Sequence, residues 1–357
     1  MTGVLAQAIA FHLPLKSNSV QVAVGSPPYW GGKRNYAVPV VHWPAVTYAP
    51  MVGVPKMTVP PWRGQLGHEP NIDLYVAHMV LICLEVLRVL RPDGAFWLNM
   101  DDAYMGSWGN YGARSGRQRA RNVEHRTRRG YEEENWSGRP PTSLPGPLPD
   151  KNLAGVPWRV AFALQASGWW LRLDPVWGKG RDGEVGESGG YGAAYSESRK
   201  DRPCRTHEYV FYLTKRDRTY YNDAGVRVNW ENGSHRLRSV WMINAMGAGK
   251  VDHTASFPPE LPEICIRAST PDRGFCPVCG ALWANKDGGA SVAQTCTCAP
   301  SEPTPCLVLD PFVGSGTTSL VAEQLGRRWV GFDLSPTYLR NASNRLAWAA
   351  GADEFGG

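Results

Sequence analysis

A strand-to-helix segment near the end of the chain constrains the fold more than any other part of the sequence. An apolar run ends at Asp310, a turn containing Gly314 and Gly316 follows, and residues 317–322 have the composition of a helix start. Glycines let a backbone approach a ligand closely, and the first turn of a helix offers unpaired N–H groups to it. The segment therefore predicts a βαβ unit with a ligand site at the carboxyl end of its first strand.

The next predicted strand, Arg328–Asp333, also ends in an acid. An acid at this position usually accepts hydrogen bonds from the hydroxyls of a bound ribose. Two alternatives are a purely structural βαβ unit and a nicotinamide site. The Gly-x-Gly here lacks the third glycine of the dinucleotide fingerprint, which argues against the nicotinamide.

A second segment that could take part in a reaction is Ser26-Pro27-Pro28-Tyr29, which follows an apolar strand-like run. Each proline fixes φ and lacks an N–H, so the neighbouring carbonyl groups are held in place as hydrogen-bond acceptors. Rigid acceptors beside the flat faces of Tyr29 and Trp30 suit an exocyclic amine on a planar base. The alternative is a Pro–Pro turn with an aromatic contact behind it.

Together the two segments resemble the amino-group DNA methyltransferases that use S-adenosylmethionine. The Ser-Pro-Pro-Tyr form most resembles the cytosine-N4 branch, because the adenine-N6 branch more often carries Asp or Asn first. The catalytic motif precedes the cofactor motif, as in the permuted β group of that family. Further blocks in family order are Leu66–Glu69, Arg88–Gly94, Asn152–Arg159, Trp177–Lys179, Asp201–Pro203, His207–Tyr209 and Phe257–Leu261.

The resemblance implies an α/β fold, a Rossmann-like class I methyltransferase sheet that is circularly permuted and carries insertions. It implies methyl transfer from S-adenosylmethionine to the N4 amine of a cytosine flipped out of double-stranded DNA, and a cognate restriction endonuclease as a partner. The implied catalytic residues are Ser26, Pro27, Pro28 and Tyr29. The implied cofactor-binding residues are Asp310, Phe312, Gly314, Ser315, Gly316, Thr317, Thr318 and Asp333.

Two other functions remain open at this point. An adenine-N6 methyltransferase would use the same fold and the same acceptors. A non-catalytic nucleic-acid-binding module would use its cysteine cluster and arginines alone, although the two intact motifs argue against it. The sequence also departs from the family at one place: Ala6-Gln7 replaces a usual Gly-Asp, which puts one cofactor contact in doubt.

Four of the eight cysteines lie close together late in the chain. Cys276 and Cys279 form a zinc-knuckle pattern with Gly280, and Cys296 and Cys298 form a tighter pair. Four thiolates at such spacing favour a tetrahedral structural zinc. A redox pair and an uncommitted cluster are the alternatives. Four thiolates would leave no open position for catalysis at the metal.

The net charge of the chain and the composition of residues 103–150 suggest a polyanionic partner. The chain has a formal net charge of +6, and arginines and aromatics cluster within residues 103–150. Arginine binds phosphates regardless of sequence, and aromatics stack on bases. This segment is either a DNA contact or a flexible solvated insertion. Residues 222–256 occupy the family's usual place for target recognition.

Composition excludes a membrane protein, because no run of about 18 apolar residues occurs. The apolar start of the chain lacks a basic leader and a cleavage site, which argues against a signal peptide. The remaining cysteines lie in apolar surroundings, as reduced thiols would, so we expect a cytoplasmic protein.

Periodicity predicts helices over 4–13, 73–90 and 156–168, and strands over 95–100 and 169–177. It also predicts a hairpin of 208–213 with 219–221, and an irregular loop, interpreted as a lid, over 31–64. Asp101 and Asp102 are expected to be solvated acids or helix caps rather than a metal pair. His78 is expected to be structural.

The predicted organisation follows the motifs. Its parts are a catalytic half (1–102), an Arg/Gly-rich insertion (103–150), the remainder of the sheet (151–221), a target-recognition segment (222–256), a cofactor-binding half (257–273 and 305–357) and a zinc-binding insertion (274–304).

Overall fold

Strands and helices alternate along the chain in the computed structural model, which describes residues 2–31, 38–105, 148–179, 201–230, 233–244, 257–285 and 292–353. The strands are β1 (Gly3–Gln7), β2 (Val20–Gly25), β3 (Val41–Trp43), β4 (Val46–Tyr48), β5 (Met57–Val59), β6 (Trp62–Gly64), β7 (Leu90–Met100), β8 (Trp170–Leu173), β9 (Val176–Gly178), β10 (His207–Thr214), β11 (Val228–Trp230), β12 (Gly233–His235), β13 (Val240–Met242), β14 (Ala284–Asn285), β15 (Val292–Ala293), β16 (Leu307–Asp310) and β17 (Arg328–Asp333). The helices are α1 (Ile72–Val89), α2 (Val156–Ala166), α3 (Glu260–Ser269), α4 (Thr317–Gln324) and α5 (Pro336–Asp353), with a 3₁₀ turn at Ala224–Val226.

The largest sheet in the described part of the chain has nine strands. Its order is β1-β17-β16-β2-β7-β10-β9-β13, with β8 also paired to β10. The first five of these strands run parallel, and β10 runs antiparallel to β7. The predicted α/β class is confirmed. Strand β16, which comes late in the chain, lies beside the early strand β2, as the predicted circular permutation requires.

Helices cover both faces of the sheet, and this explains why every residue of β2 is buried. Val22 and Val24 pack into a cluster that includes residues of α3 and α4. Val20 and Ala23 point to the other face and pack into a cluster that includes α1 and α2. A strand buried on both faces fixes the position of the turn that follows it.

Helix α1 confirms the predicted helix over 73–90 to within a residue. Its first turn is capped by Asn71, whose side-chain oxygen accepts the Leu74 N–H at 2.9 Å. Asp73 in the first turn and Arg88 in the last complement the helix dipole. Helix α2 ends at Ala166, two residues before the predicted end at Gly168.

Two predicted elements are wrong. Residues 4–13 do not form a helix, because the short strand β1 pairs in parallel with β17. A five-residue apolar run does not distinguish helix from strand by itself. Residues 219–221 form no strand either: the Thr219 hydroxyl and the Tyr220 N–H both bond the Asp93 carbonyl. The predicted strand 169–177 is two strands, β8 and β9, which occupy the place expected for the hairpin.

The predicted irregular loop over 31–64 is also wrong for its described part. Strand β3 pairs with β6, and β4 pairs with β5. Val41, Trp43 and Val46 are buried in the same cluster as α1, so apolar packing orders this region. Residues 32–37 lie outside the described residues, and the lid role stays a prediction.

Several predicted functional segments fall outside the described residues, in whole or in part. These are 106–147 of the arginine-rich insertion, 231–232 with 245–256 of the target-recognition segment, and 286–291 of the zinc-binding insertion. The helices that the structure describes include none with the length and apolarity needed to cross a membrane.

Candidate active site

The two predicted motifs meet at one edge of the sheet. Strands β2 and β16 pair in parallel, with Val22 level with Val308 and Ala23 level with Leu309. A Cβ placed on Gly25 would lie 3.1 Å from Cδ of Pro311 and 3.5 Å from Oδ1 of Asp310. Segments 26–29 and 310–318 therefore leave the sheet side by side, although they are far apart in sequence.

The Ser26–Tyr29 turn is held from behind by helix α1 and its preceding loop. The Tyr75 hydroxyl donates to the Pro28 carbonyl at 3.0 Å, and the Gly31 N–H donates to the Gly67 carbonyl at 3.1 Å. Trp30 is buried, and its indole N–H donates to the Glu69 carbonyl. The predicted use of Trp30 as an exposed flat face is therefore wrong.

Tyr29 lies at the centre of a polar cluster on the sheet side of the turn. Its hydroxyl lies 2.8 Å from Ser26 Oγ, 2.8 Å from Glu208 Oε2 and 3.1 Å from Asn99 Oδ1. Glu208 also pairs with Lys179. Burial, and then the Glu208 carboxylate, raise the pKa of the Tyr29 phenol well above its usual range, so the hydroxyl stays protonated.

Asp333 organises the glycine turn after β16. Its Oδ2 accepts the Gly314 N–H at 3.1 Å, and its Oδ1 accepts the Ser335 N–H at 2.8 Å. Gly314 and Gly316 have φ of 49° and 79°, in the left-handed region where a side chain is disfavoured. Because a carboxylate offers about four lone-pair directions, Asp333 keeps capacity for further donors.

Asp310 lies beneath this turn at the end of β16. It is buried, and its Oδ1 accepts the Phe312 N–H at 2.9 Å. Burial raises the pKa of Asp310 to about 7, against the opposing effect of that hydrogen bond. Burial likewise raises the pKa of Asp333. In both acids, backbone N–H donors oppose this effect of burial on the pKa.

Arg345 supports the turn from helix α5, and the sequence prediction missed it. Its guanidinium donates to the Thr317 hydroxyl at 2.8 Å and to the Ser315 carbonyl at 3.3 Å. Thr317 and Thr318 begin α4 and are buried, as is Ser315. An arginine on a helix surface has no local signal that separates this role from a solvated one.

The Ala6-Gln7 departure lies at the same edge. Ala6 is level with Phe332 and Gln7 with Asp333 across the β1–β17 pair. The Gln7 side-chain amide donates to the Leu334 carbonyl at 2.9 Å. Gln7 therefore binds the backbone at the position where the resemblance leads one to expect an acid.

Asp102 fulfils the expectation of a helix cap, whereas Asp101 forms an ion pair with Arg205. Oδ1 of Asp102 accepts the N–H groups of Ala103 at 2.8 Å and of Val156 at 2.9 Å, at the start of α2. Arg205 lies 3.2 Å from Asp101 Oδ1 and 3.5 Å from Asp102 Oδ2. These contacts join the loop after β7 to α2.

His78 has the structural place that the sequence analysis expected. Its Nδ1 lies 2.8 Å from Oε1 of the buried Glu69, and its ring stacks on Trp43 with centroids 4.1 Å apart. Oε2 of Glu69 accepts the Gly67 N–H at 2.8 Å. The pair therefore fixes the loop that carries the Gly31–Gly67 bond.

The four predicted zinc ligands also come together. One sulfur atom from each of Cys276, Cys279, Cys296 and Cys298 lies within 4.8 Å of the others. The Gln294 side-chain amide donates to Cys296 Sγ at 3.2 Å. The cluster thus has the donor set of a thiolate-bound metal and a supporting N–H donor.

The cysteine lobe is attached at the opposite edge of the sheet from the two motifs. Arg91, at the amino end of β7, donates to the Gly280 carbonyl at 2.6 Å and lies over the Phe275 ring at 5.0 Å. Asp93 pairs with the same arginine at 3.1 Å. A metal here would stabilise the lobe and would not reach the active edge.

A permuted parallel sheet with a glycine turn, an acid on the next strand and a Ser-Pro-Pro-Tyr turn beside it is the arrangement of a class I amino-methyltransferase. The chain matches the family described as "DNA methylase", the N6/N4 methyltransferases, over residues 20–344. It therefore belongs to that family of S-adenosylmethionine-dependent DNA methyltransferases.

Curated relatives are type II methyltransferases of restriction–modification systems. The chain is 34% identical over 333 residues to M.Cfr9I of Citrobacter freundii, covering 93% of this chain and 83% of the relative. It is 30% identical over 335 residues to M.SmaI of Serratia marcescens, covering 93% and 86%. These matches span nearly all of the chain.

Among solved structures the fold is similar to that of the PvuII DNA methyltransferase (cytosine-N4-specific). The TM-score is 0.55 at 18% identity, covering 97% of this chain and 86% of that chain. The sequence of M.PvuII of Proteus hauseri is 26% identical over 307 residues, covering 81% of this chain and 76% of the relative. This likeness supports the fold.

Proposed function

We propose that the protein transfers a methyl group from S-adenosylmethionine to the N4 amine of a cytosine flipped out of double-stranded DNA. The observation that carries the proposal is that the Ser26–Tyr29 turn and the Asp310–Gly316 turn leave neighbouring strands at one sheet edge, where Gly25 lies against Pro311 and Asp310. Serine at the first motif position favours cytosine over adenine, by resemblance to the family. The PvuII enzyme, which shares the fold, is described as cytosine-N4-specific.

The catalytic problem is that the lone pair of an aryl amine is delocalised into its ring. Ser26 Oγ and the Pro27 carbonyl would accept the two amine N–H bonds and turn the lone pair out of the ring plane. The sulfonium of the cofactor supplies an activated methyl carbon. Positioning and electrostatics then do most of the catalysis, and no covalent enzyme intermediate is needed.

Tyr29 would support the extruded base. Taking a base out of the duplex costs a few kcal/mol. Stacking on an aromatic ring returns roughly 1–3 kcal/mol. Because the Tyr29 hydroxyl is anchored on Glu208, the ring is held in one orientation rather than free to rotate away.

The cofactor would be held by the glycine turn and its acids. Asp333 has lone pairs left for ribose hydroxyls. Gly314 and Gly316 adopt positive φ, which favours glycine, so no side chain blocks the approach of the cofactor to this turn. The other proposed cofactor residues are Asp310, Phe312, Ser315, Thr317 and Thr318. These residues fit a nucleoside that carries a sulfonium, because the edge is acidic and its glycines let a ligand approach the backbone closely.

The test is identification of the methylated base. DNA is incubated with the purified protein and S-adenosylmethionine, digested to nucleosides and analysed by mass spectrometry. N4-methylcytosine is the expected product. N6-methyladenine would instead indicate an adenine-N6 methyltransferase. The absence of any methylated nucleoside, together with no cofactor binding by calorimetry, would favour a non-catalytic module.

We also propose a structural zinc held by Cys276, Cys279, Cys296 and Cys298. The convergence of four sulfur atoms within 4.8 Å supports it, together with the Gln294 amide directed at one of them. Zinc would saturate its tetrahedral coordination with these thiolates. Its effect would be on folding of the lobe that docks on Arg91.

Removing the zinc is expected to lower stability. A Cys276→Ser, Cys279→Ser variant should lose one zinc per chain by elemental analysis. Its thermal midpoint should fall by about 3 °C or more, the size expected for a loss of roughly 2 kcal/mol in a chain of this length. Cys204→Ser, at an exposed cysteine away from the cluster, is the control and should change neither value. Equal zinc content in the two variants would contradict the proposal.

We propose that residues 103–150 and 222–256 contact DNA. We also propose a cognate restriction endonuclease as a partner. The support is the arginine content of the first segment, the family position of the second and the type II relatives. Most of the first segment and part of the second lie outside the described residues.

A further inference from the structure

A line of polar side chains runs from the active edge into the sheet. Ser26 Oγ lies 2.8 Å from the Tyr29 hydroxyl, which lies 2.8 Å from Glu208 Oε2. Lys179 binds the other carboxylate oxygen of Glu208. Ser26 and Tyr29 come from the turn after β2, whereas Glu208 is on β10 and Lys179 follows β9.

The far end of this line is a fixed ion pair. The Glu208 and Lys179 side chains are 7% and 24% exposed, so this ion pair is largely shielded from water. The Lys179 backbone N–H donates to the Thr206 carbonyl at 2.8 Å, and its ammonium lies 5.1 Å from the centre of the Trp177 ring. An ionised Glu208 can only accept hydrogen bonds.

The direction of each hydrogen bond follows from that end. The Tyr29 hydroxyl has one proton, and the Glu208 carboxylate takes it, since a charged acceptor at 2.8 Å outcompetes the Asn99 amide oxygen at 3.1 Å. The Asn99 amide nitrogen donates to the Tyr209 carbonyl, which keeps its oxygen towards Tyr29. Tyr29 must then accept the Ser26 proton.

Ser26 is left as an acceptor. Its single proton is directed at Tyr29, so both of its remaining lone pairs face away from that bond. A free serine hydroxyl could instead turn its proton towards the target nitrogen, whose lone pair must stay available for the methyl carbon.

We propose that Tyr29, Glu208 and Lys179 set the polarity of the Ser26 hydroxyl, so that it accepts from the target amine and cannot donate to it. This inference rests on the proposed function, in which Ser26 binds that amine. Glu208 and Lys179 are positioning residues, because they act through Tyr29. The hydroxyl of Tyr29 has this role in addition to the stacking role of its ring.

A double-mutant cycle tests the proposal. Tyr29→Phe keeps the ring and removes the hydroxyl. In single-turnover methylation at saturating S-adenosylmethionine, it should slow the reaction at least tenfold in the Ser26 background. In the Ser26→Ala background it should cost less than twofold, because there is no hydroxyl to orient. Equal losses in the two backgrounds would overturn the proposal.

A second cycle covers the case in which Ser26→Ala is too slow to measure. Ser26→Asp places a carboxylate, which has no proton to orient, so Tyr29→Phe should again cost less than twofold there. Glu208→Gln should follow the pattern of Tyr29→Phe in each background. A tenfold loss in the Ser26→Asp background would count against polarity control.

Two controls distinguish a failure of the polarity proposal from a folding defect and from a failure of the proposed function. Tyr212→Phe removes a hydroxyl from the same strand as Glu208, on the side where Tyr212 stacks on Trp97, and should leave the rate within twofold. Cofactor affinity by calorimetry should be unchanged in all variants. If Ser26→Ala retains the full rate, the proposed role of Ser26 in methylation fails, which is a different result from additivity in the cycle.

Discussion

Tyr29→Ala is expected to lower the single-turnover methylation rate by about 100-fold or more while leaving cofactor affinity within about threefold. The loss of stacking accounts for roughly 1–3 kcal/mol, and tenfold in rate corresponds to about 1.4 kcal/mol. The loss of the hydroxyl that binds Ser26 adds to this. Cofactor binding is retained because Asp333 ends β17 and the glycine turn follows β16, whereas Tyr29 follows β2.

The measurement combines rapid-quench methylation with calorimetric titration of S-adenosylmethionine. Tyr221→Ala is the matched control, because Tyr221 is 42% exposed and lies near the amino edge of the sheet, where its neighbour Tyr220 bonds Asp93. Its rate should stay within twofold of the original. Full turnover by Tyr29→Ala would disprove the stacking role.

Asp333→Ala is expected to show the opposite pattern. Cofactor affinity should fall about 30-fold or more, since a hydrogen bond to a charged acceptor contributes about 1.5–3 kcal/mol and a ribose offers two hydroxyls. Turnover at saturating cofactor should stay within a few fold, because Ser26 and Tyr29 are untouched. Calorimetry gives the affinity, and single-turnover kinetics give the rate.

The same substitution also frees two backbone N–H groups, those of Gly314 and Ser335. A thermal midpoint measured without cofactor reports that structural part separately. Asp217→Ala is the control: the side chain of this loop acid accepts the Arg218 N–H at 2.9 Å, and its loss should not alter cofactor affinity. An Asp333→Ala variant with the original affinity would remove the ribose role.

The parts of the fold that the sequence predicted correctly have long or chemically specific local signals. Helix α1 has a five-turn apolar stripe with a cap at Asn71, and β16 and β17 each end in an acid before a turn. Strand β1 was mispredicted because five residues carry too little periodicity and its pairing with β17 is a long-range event.

The site shows the same division. Ser26, Tyr29, Asp310 and Asp333 are predicted as site residues because their motifs are contiguous, but the partners that hold them are remote in sequence. Tyr29 meets Glu208 across 179 positions of the chain, and nothing near either residue predicts the bond. Trp30 was misassigned because alternation along a turn does not tell which ring enters the core.

The position of β16 beside β2 has a consequence during synthesis. About 285 residues separate Gly25 from Asp310, so at roughly 5–20 residues per second the nascent chain exposes one side of β2 for on the order of 15–60 s. An apolar strand with an open edge is prone to pair with other chains in that interval. Fast translation, which shortens this interval, and chaperones that shield such edges are therefore the conditions under which soluble yield should be highest.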